Sequence, residues 1–197
     1  MLVVIGLRKR KKVRQKSAFI DAYIFPLKLK QQLQVKYPHL SDGECERVLE
    51  GLKAFFHINL MAQKRPISMP SQAVDEVWHE LILFTRQYDS FCKQAFGRFL
   101  HHTPAEAMKS PTQAQDGIKR AWRLSCQREG IDPQHPKRLP LLFALDSELK
   151  IPDGFIYQLN CMGKKDQGYC ASHIGCGGGC SGCSSDSNGC GGGCGGD

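Results

Sequence analysis

Residues 71–99 read SQAVDEVWHELILFTRQYDSFCKQAFGRF, and their periodicity decides the fold. Val74, Val77, Trp78, Leu81, Thr85, Tyr88, Cys92, Ala95, Phe96 and Phe99 recur at threes and fours. At about 100° per residue these positions share one face of a helix, and so apolar a face has to be buried. Pro66 and Pro70 bound the loop in front of it, and Ser71 stands where a side chain caps a first turn. The spacing predicts one long helix from Gln72 to about Phe99, with Cys92 as a small core residue.

Upstream, Phe19–Phe25 is a short apolar stretch before Pro26, and a polar helix is expected from Leu27 to Tyr37. Ser41-Asp42-Gly43-Glu44 has the form of a capping box. Behind it, Cys45, Val48, Leu49, Leu52, Phe55 and Phe56 form another helical face, with Cys45 again a core residue. Downstream, Ser110-Pro111-Thr112-Gln113 opens a third amphipathic helix whose face is Ile118, Ala121, Trp122, Ser125 and Cys126, and Gly130 ends it. Leu141 to Lys150 favours a further helix, and Phe155–Tyr157 a short strand. The fold class is mostly α: a compact, irregular helical domain over residues 19–160. Residues 1–18 form a short apolar start and basic arm, and 161–197 a Cys/Gly-rich tail, disordered or ordered by metal.

Chemistry has two places to sit. On the long helix, Asp75 and His79 are four residues apart and therefore neighbours, on a flank that also carries Arg86. His101 and His102 follow the helix. A carboxylate beside an imidazole fixes a tautomer for catalysis or for metal binding. The same residues also serve structure alone, as a His–Asp bond and a His pair at a helix end. His79-Glu80 starts like a zincin motif, but Leu83 stands where the second histidine belongs. No nucleotide-binding glycine loop and no G-x-S-x-G elbow occurs.

The run Val74-Asp75-Glu76-Val77-Trp78-His79-Glu80-Leu81-Ile82-Leu83, followed by Tyr88, Cys92 and Phe96-Gly97-Arg98-Phe99-Leu100-His101-His102, resembles glycine-rich domain-containing proteins. The similarity covers roughly residues 68–104. Other segments look more like uncharacterised bacterial relatives of that family's plant members. Those members often read W-H-x-H, whereas Leu81 holds the second position here. The resemblance implies a helical domain and supports the fold more than an activity.

The second place is the tail. The last 37 residues hold seven of the ten cysteines and 13 of the 20 glycines. So few bulky apolar residues cannot offset the entropy of ordering, so the segment needs cross-links, a metal, or no structure. Cys180-Ser181-Gly182-Cys183 is the sharpest pair, with Cys176, Cys190, Cys194 and His173 as candidate partners. Thiolates at this spacing suit tetrahedral Zn²⁺. Cu(I), an iron–sulfur cluster, disulfides, backbone heterocyclisation or plain low complexity stay open.

The net charge of +8 is concentrated at the N-terminus. Arg8, Lys9, Arg10, Lys11, Lys12, Arg14 and Lys16 account for seven of the 27 basic residues, and the other 20 balance 19 acidic ones. Residues 8–16 would attract an anionic membrane surface or act as a solvated arm. Without an RNA-recognition aromatic signature or helix-turn-helix spacing, nucleic acid is not the expected partner. Met1–Leu7 is apolar but too short to cross a bilayer, and its order is the reverse of a signal peptide's. Apolar-then-basic fits the cytoplasmic flank of a membrane anchor, here truncated; a short strand or disordered start is the plainer expectation. A cytoplasmic or cytoplasmic-side, membrane-associated protein is implied. The leading functional expectation is a metal-binding or interaction protein, its helical domain docking an unidentified protein and its tail carrying thiolates. The alternative is an enzyme using Asp75, His79, His101 and His102, around a metal.

Overall fold

The computed structural model describes residues 2–102, 111–159, 169, 170 and 174. Its helices are α1 (Leu2–Ala22), α2 (Leu27–Lys36), α3 (Asp42–Ala62), α4 (Gln72–Leu83), α5 (Thr85–Ala95), α6 (Pro111–Glu129) and α7 (Leu141–Glu148). Two two-residue strands, β1 (Tyr157–Gln158) and β2 (Tyr169–Cys170), pair in parallel. The protein is mostly helical, as the periodicities require. Among the described residues, no helix is long and apolar enough to cross a membrane. The start is a helix rather than a strand, and α1 runs unbroken across residue 18.

Helix α3 is the hub, packed by α1, α2, α4, α6 and α7. Its capping box is complete: Glu44 N–H donates to Ser41 Oγ at 3.3 Å and Ser41 N–H to Glu44 Oε2 at 2.8 Å. Burial extends well beyond the predicted stripe to Ala54, His57, Ile58 and Asn59, because neighbours surround the helix. At Gly51 an added Cβ would lie 2.5 Å from Leu145 Cδ1 and 2.8 Å from Val74 Cγ2. Glycine there lets α4 and α7 approach α3 closely. Aromatic rings fill the remaining space, with Phe55 4.9 Å from Trp78 and Phe56 4.8 Å from Phe91.

The long helix is the main departure from expectation. It breaks at Phe84, whose backbone (φ −78°, ψ 55°) is not helical, into α4 and α5. Trp78 Nε1–H donates to Tyr88 Oη at 3.0 Å across ten residues. A straight helix would hold positions ten apart about 15 Å from each other along its axis. The break folds α5 back on α4, so that Phe91, outside the predicted stripe, is buried while Thr85 is exposed. Both pieces thereby bury their apolar faces in one core.

Cys45, Cys92 and Cys126 are buried free thiols, as expected of core residues. Burial pushes the Cys126 thiol up to about 12, and the other two upward as well. At Gly130 (φ 66°) the chain leaves α6 and Ile131 N–H returns to Cys126 O, a Schellman-type stop. The expected strand at Phe155–Tyr157 reduces to the Tyr157–Gln158 pairing. Ser110, Cys161, His173 and Cys176, Cys180, Cys183, Cys190 and Cys194 lie outside the described residues.

Candidate metal centre

The site begins with a buried acid that the sequence reading passed over. Asp146, on α7, accepts Ser71 Oγ–H at 2.6 Å, Gln72 N–H at 2.7 Å, Ala73 N–H at 3.3 Å and Phe155 N–H at 2.9 Å. It takes up the free amides at the start of α4, where a negative charge is favoured. The Ser71 hydroxyl in turn accepts Val74 N–H at 3.3 Å, the expected cap. The first turn of α4, which carries Asp75, is therefore fixed to α7.

The other half of the site arrives from the far end of α5. Gly97 adopts φ 75°, and its N–H bonds Cys92 O and Lys93 O, ending that helix and turning the chain back. Tyr88 Oη–H donates to Leu100 O at 2.6 Å. The relay from Trp78 through Tyr88 to Leu100 ties the returning segment to α4. Two residues later His102 lies with its ring edge-on to Trp78, centroids 4.7 Å apart. Tyr88 and Trp78 stand in the sequence as core positions only; their polar atoms set this register.

Three side chains converge there. His102 Nε2 is 3.0 Å from Asp75 Oδ1, His79 Nε2 is 3.0 Å from His102 Nε2, and His79 Nε2 is 3.6 Å from Asp75 Oδ2. One ligand atom from each fits within a 4.8 Å span. Asp75 and His102 are mostly covered, whereas the His79 side chain is 47% exposed and has room to turn. His79 Nε2 also lies 3.4 Å from His102 Nδ1, so it faces both nitrogens of that ring. His101 does not join the group: it is exposed, and its ring stacks on Phe99 at 4.8 Å. Arg86 is exposed as well. Of the four residues expected to cluster, the structure brings together three.

Hydrogen bonding accounts for part of this triangle: His102 Nε2 is within bonding distance of both Asp75 Oδ1 and His79 Nε2, while His79 Nε2 stands 3.6 Å from Asp75 Oδ2. Asp75 as carboxylate only accepts, and each neutral imidazole carries one N–H. A proton on His102 Nε2 serves Asp75 and leaves His79 Nε2 facing the carboxylate as a second acceptor. Protons on both Nε2 atoms would set two N–H groups against each other. A cation held by all three side chains would satisfy their contacts together. With bonds of about 2.0–2.1 Å, a metal sets its ligand atoms roughly 2.9–3.4 Å apart for angles from 90° to tetrahedral. The His102–Asp75 Oδ1 and His79–His102 distances fall in that range, while His79 stands 3.6 Å from the other carboxylate oxygen, Oδ2, on a side chain with room to turn.

A second His–Asp pair, which the sequence reading did not pick out, joins α1 to α3. His57 Nε2 is 2.7 Å from Asp21 Oδ1, and Ser17 Oγ is 3.4 Å from His57 Nδ1. Its one signal in the sequence is a histidine inside the apolar run Phe55-Phe56-His57-Ile58. Burial holds the His57 imidazole below its ordinary pKa, although Asp21 pulls the other way. A separate surface hollow is lined by Arg47, Arg138, Glu129 and Glu148, whose charges pair as Arg47–Glu148 and Arg138–Glu129.

Comparison with known proteins corrects one expectation. The matching family model is not that of the glycine-rich domain-containing proteins, so the W-H-x-H comparison at Leu81 has no bearing on the site. No curated protein and no solved structure matches the chain. A family model described as UCP032817-like matches residues 15–177, the span that contains Asp75, His79 and His102, and the chain belongs to that family.

Proposed function

We propose that this is a metal-binding protein whose centre is Asp75, His79 and His102, with Zn²⁺ as the fitting ion. The observation that carries the reading is the convergence of two imidazole nitrogens and a carboxylate within 4.8 Å. Two histidines and one carboxylate make a familiar ligand set for Zn²⁺ and for non-haem iron. Three protein ligands would leave coordination positions for water or a substrate atom, and the 47% exposure of the His79 side chain supports a centre open to solvent. That is the ligand count of catalytic zinc sites, which polarise a bound group or lower the pKa of bound water. An enzyme built on this centre would act by metal-assisted chemistry at the surface of α4.

The cysteine-rich tail supports a second metal site. Its warrant is the density of thiols on a glycine-rich backbone, with Cys176, Cys180, Cys183, Cys190, Cys194 and His173 as donors. The two sites differ in ligand chemistry, which makes them separable. Cobalt(II) serves as the probe, because thiolate ligation gives intense near-ultraviolet charge transfer and nitrogen–oxygen ligation does not. Replacing all seven cysteines of residues 161–197 by serine should abolish that band and leave one cobalt bound per chain. Adding His79→Ala should then remove the remaining ion. Retention of that ion in the His79→Ala protein would refute the triad.

A further inference from the structure

We propose that α1 is a membrane-docking helix, which sets its basic collar against anionic lipid headgroups and its apolar tip in the bilayer. The helix is 21 residues long, about 31 Å at 1.5 Å per residue. Among the described residues, the contacts that hold it to the fold lie in its C-terminal part. Lys16 Nζ–H donates to Phe96 O at 2.6 Å, Ile20 is fully buried, and the Phe19 ring lies 5.7 Å from Phe91. Lys53 Nζ–H donates to Asp21 O, and Asp21 bonds His57. Before Lys16 every residue from Arg10 to Gln15 is exposed. The helix thus projects from a rigid base.

Charge and polarity along the projecting part identify what it fits. Asp21 is the first acidic residue of the chain, so nothing within the basic block offsets it. At 100° per residue Arg10, Lys11, Lys12, Arg14 and Lys16 spread over about 240° of the circumference instead of forming one narrow stripe. A helix lying flat in the interface requires an apolar side. Here polarity changes along the axis: Leu2, Val3, Val4, Ile5 and Leu7 come first, and the basic residues follow. That order follows the passage from hydrocarbon to headgroup, with the apolar turns against lipid tails and the basic residues at the phosphates. A nucleic acid would use the basic block but gain nothing from the apolar turns ahead of it, so the lipid surface is the better match. Because α1 is continuous into the core, docking would hold the helical domain at a fixed stand-off from the bilayer.

Sedimentation of full-length protein with vesicles tests this. Binding should be strong to phosphatidylcholine–phosphatidylserine vesicles, weak to phosphatidylcholine alone, and reduced by salt. Replacing Arg10, Lys11, Lys12 and Arg14 by glutamine should weaken binding by at least about a hundredfold. Those side chains are exposed, so helical content should not change. A tryptophan introduced as Ile5→Trp should shift its emission to the blue on vesicle addition and be quenched by brominated lipid. Equal binding to both vesicle types, or an unaltered affinity in the four-glutamine protein, would overturn the proposal. So would a water-exposed tryptophan at position 5 in the bound state, or tighter binding to RNA or duplex DNA than to the anionic vesicles.

Discussion

His57 with Asp21 and the His79/His102 pair with Asp75 draw on the same side-chain types and are built in opposite ways. In the first, the imidazole is buried and the carboxylate is 62% exposed, so the histidine is a single bridge between α1 and α3. Ser17, Asp21 and His57 have the composition of a hydrolytic triad, but Ser17 lies inside α1, where the backbone amides are committed to the helix. It therefore lacks the pair of free donors that an oxyanion needs. In the second, the carboxylate and one imidazole are covered, and the other imidazole is at the rim. Two nitrogens and an oxygen converge there within 4.8 Å. The comparison teaches that a His–Asp contact in itself says little. What separates a clasp from a candidate metal site is which member faces solvent and how many donor atoms converge.

The comparison can be broken most forcefully at Trp78, which underlies the proposed metal centre. Trp78→Ala should cost about 3–5 kcal/mol, read from urea unfolding, because the ring is buried against Phe55 and its N–H bonds Tyr88. A loss near zero would mean that the bend at Phe84 is not held by this contact. Tyr88→Phe should cost about 1–3 kcal/mol by leaving Trp78 Nε1 and Leu100 O without their partner. It should also weaken metal uptake, since Leu100 positions His102. Stability loss with unchanged uptake would show that His102 is fixed in some other way.

Smaller effects sharpen the contrast between the pairs. His57→Gln should cost about 1 kcal/mol and, more tellingly, flatten the acid limb of stability. The His57 pKa is depressed in the fold, so the unfolded chain takes up the proton first as pH falls. Stability from neutral His57 is whole above the ordinary imidazole value of 6.5 and is lost as pH drops through the depressed one. A wild-type profile that stays flat below pH 6.5 would contradict the clasp reading. His79→Ala should change stability by less than about 0.5 kcal/mol, because the side chain is half exposed. A larger loss would place His79 in the structure and not in a metal site.

Much of this arrangement was legible in the residues. Ser41-x-x-Glu44, Ser71 before Val74, Gly130 after Glu129 and the threes and fours of α3 and α6 are local signals, and local physics produced the elements they name. Asp75 and His79 were readable as neighbours because four residues make one helical turn. The break at Phe84 was not readable: the apolar stripe continues through it, and only a tertiary bond from Trp78 to Tyr88 reveals the bend. For the same reason nothing local distinguishes His102, which reaches the site, from His101, which stacks on Phe99. Asp146 looked like one acid in a helix, and its four donors come from two segments remote from it or beyond its own helix.

The most direct test of the metal centre is anomalous diffraction from crystals of the protein grown with Zn²⁺, its tail cysteines replaced by serine. The account predicts a zinc peak about 2.0–2.2 Å from Asp75, His79 Nε2 and a nitrogen of His102, with water completing the shell. Zinc bound only elsewhere, with these three side chains still joined by hydrogen bonds, would contradict it.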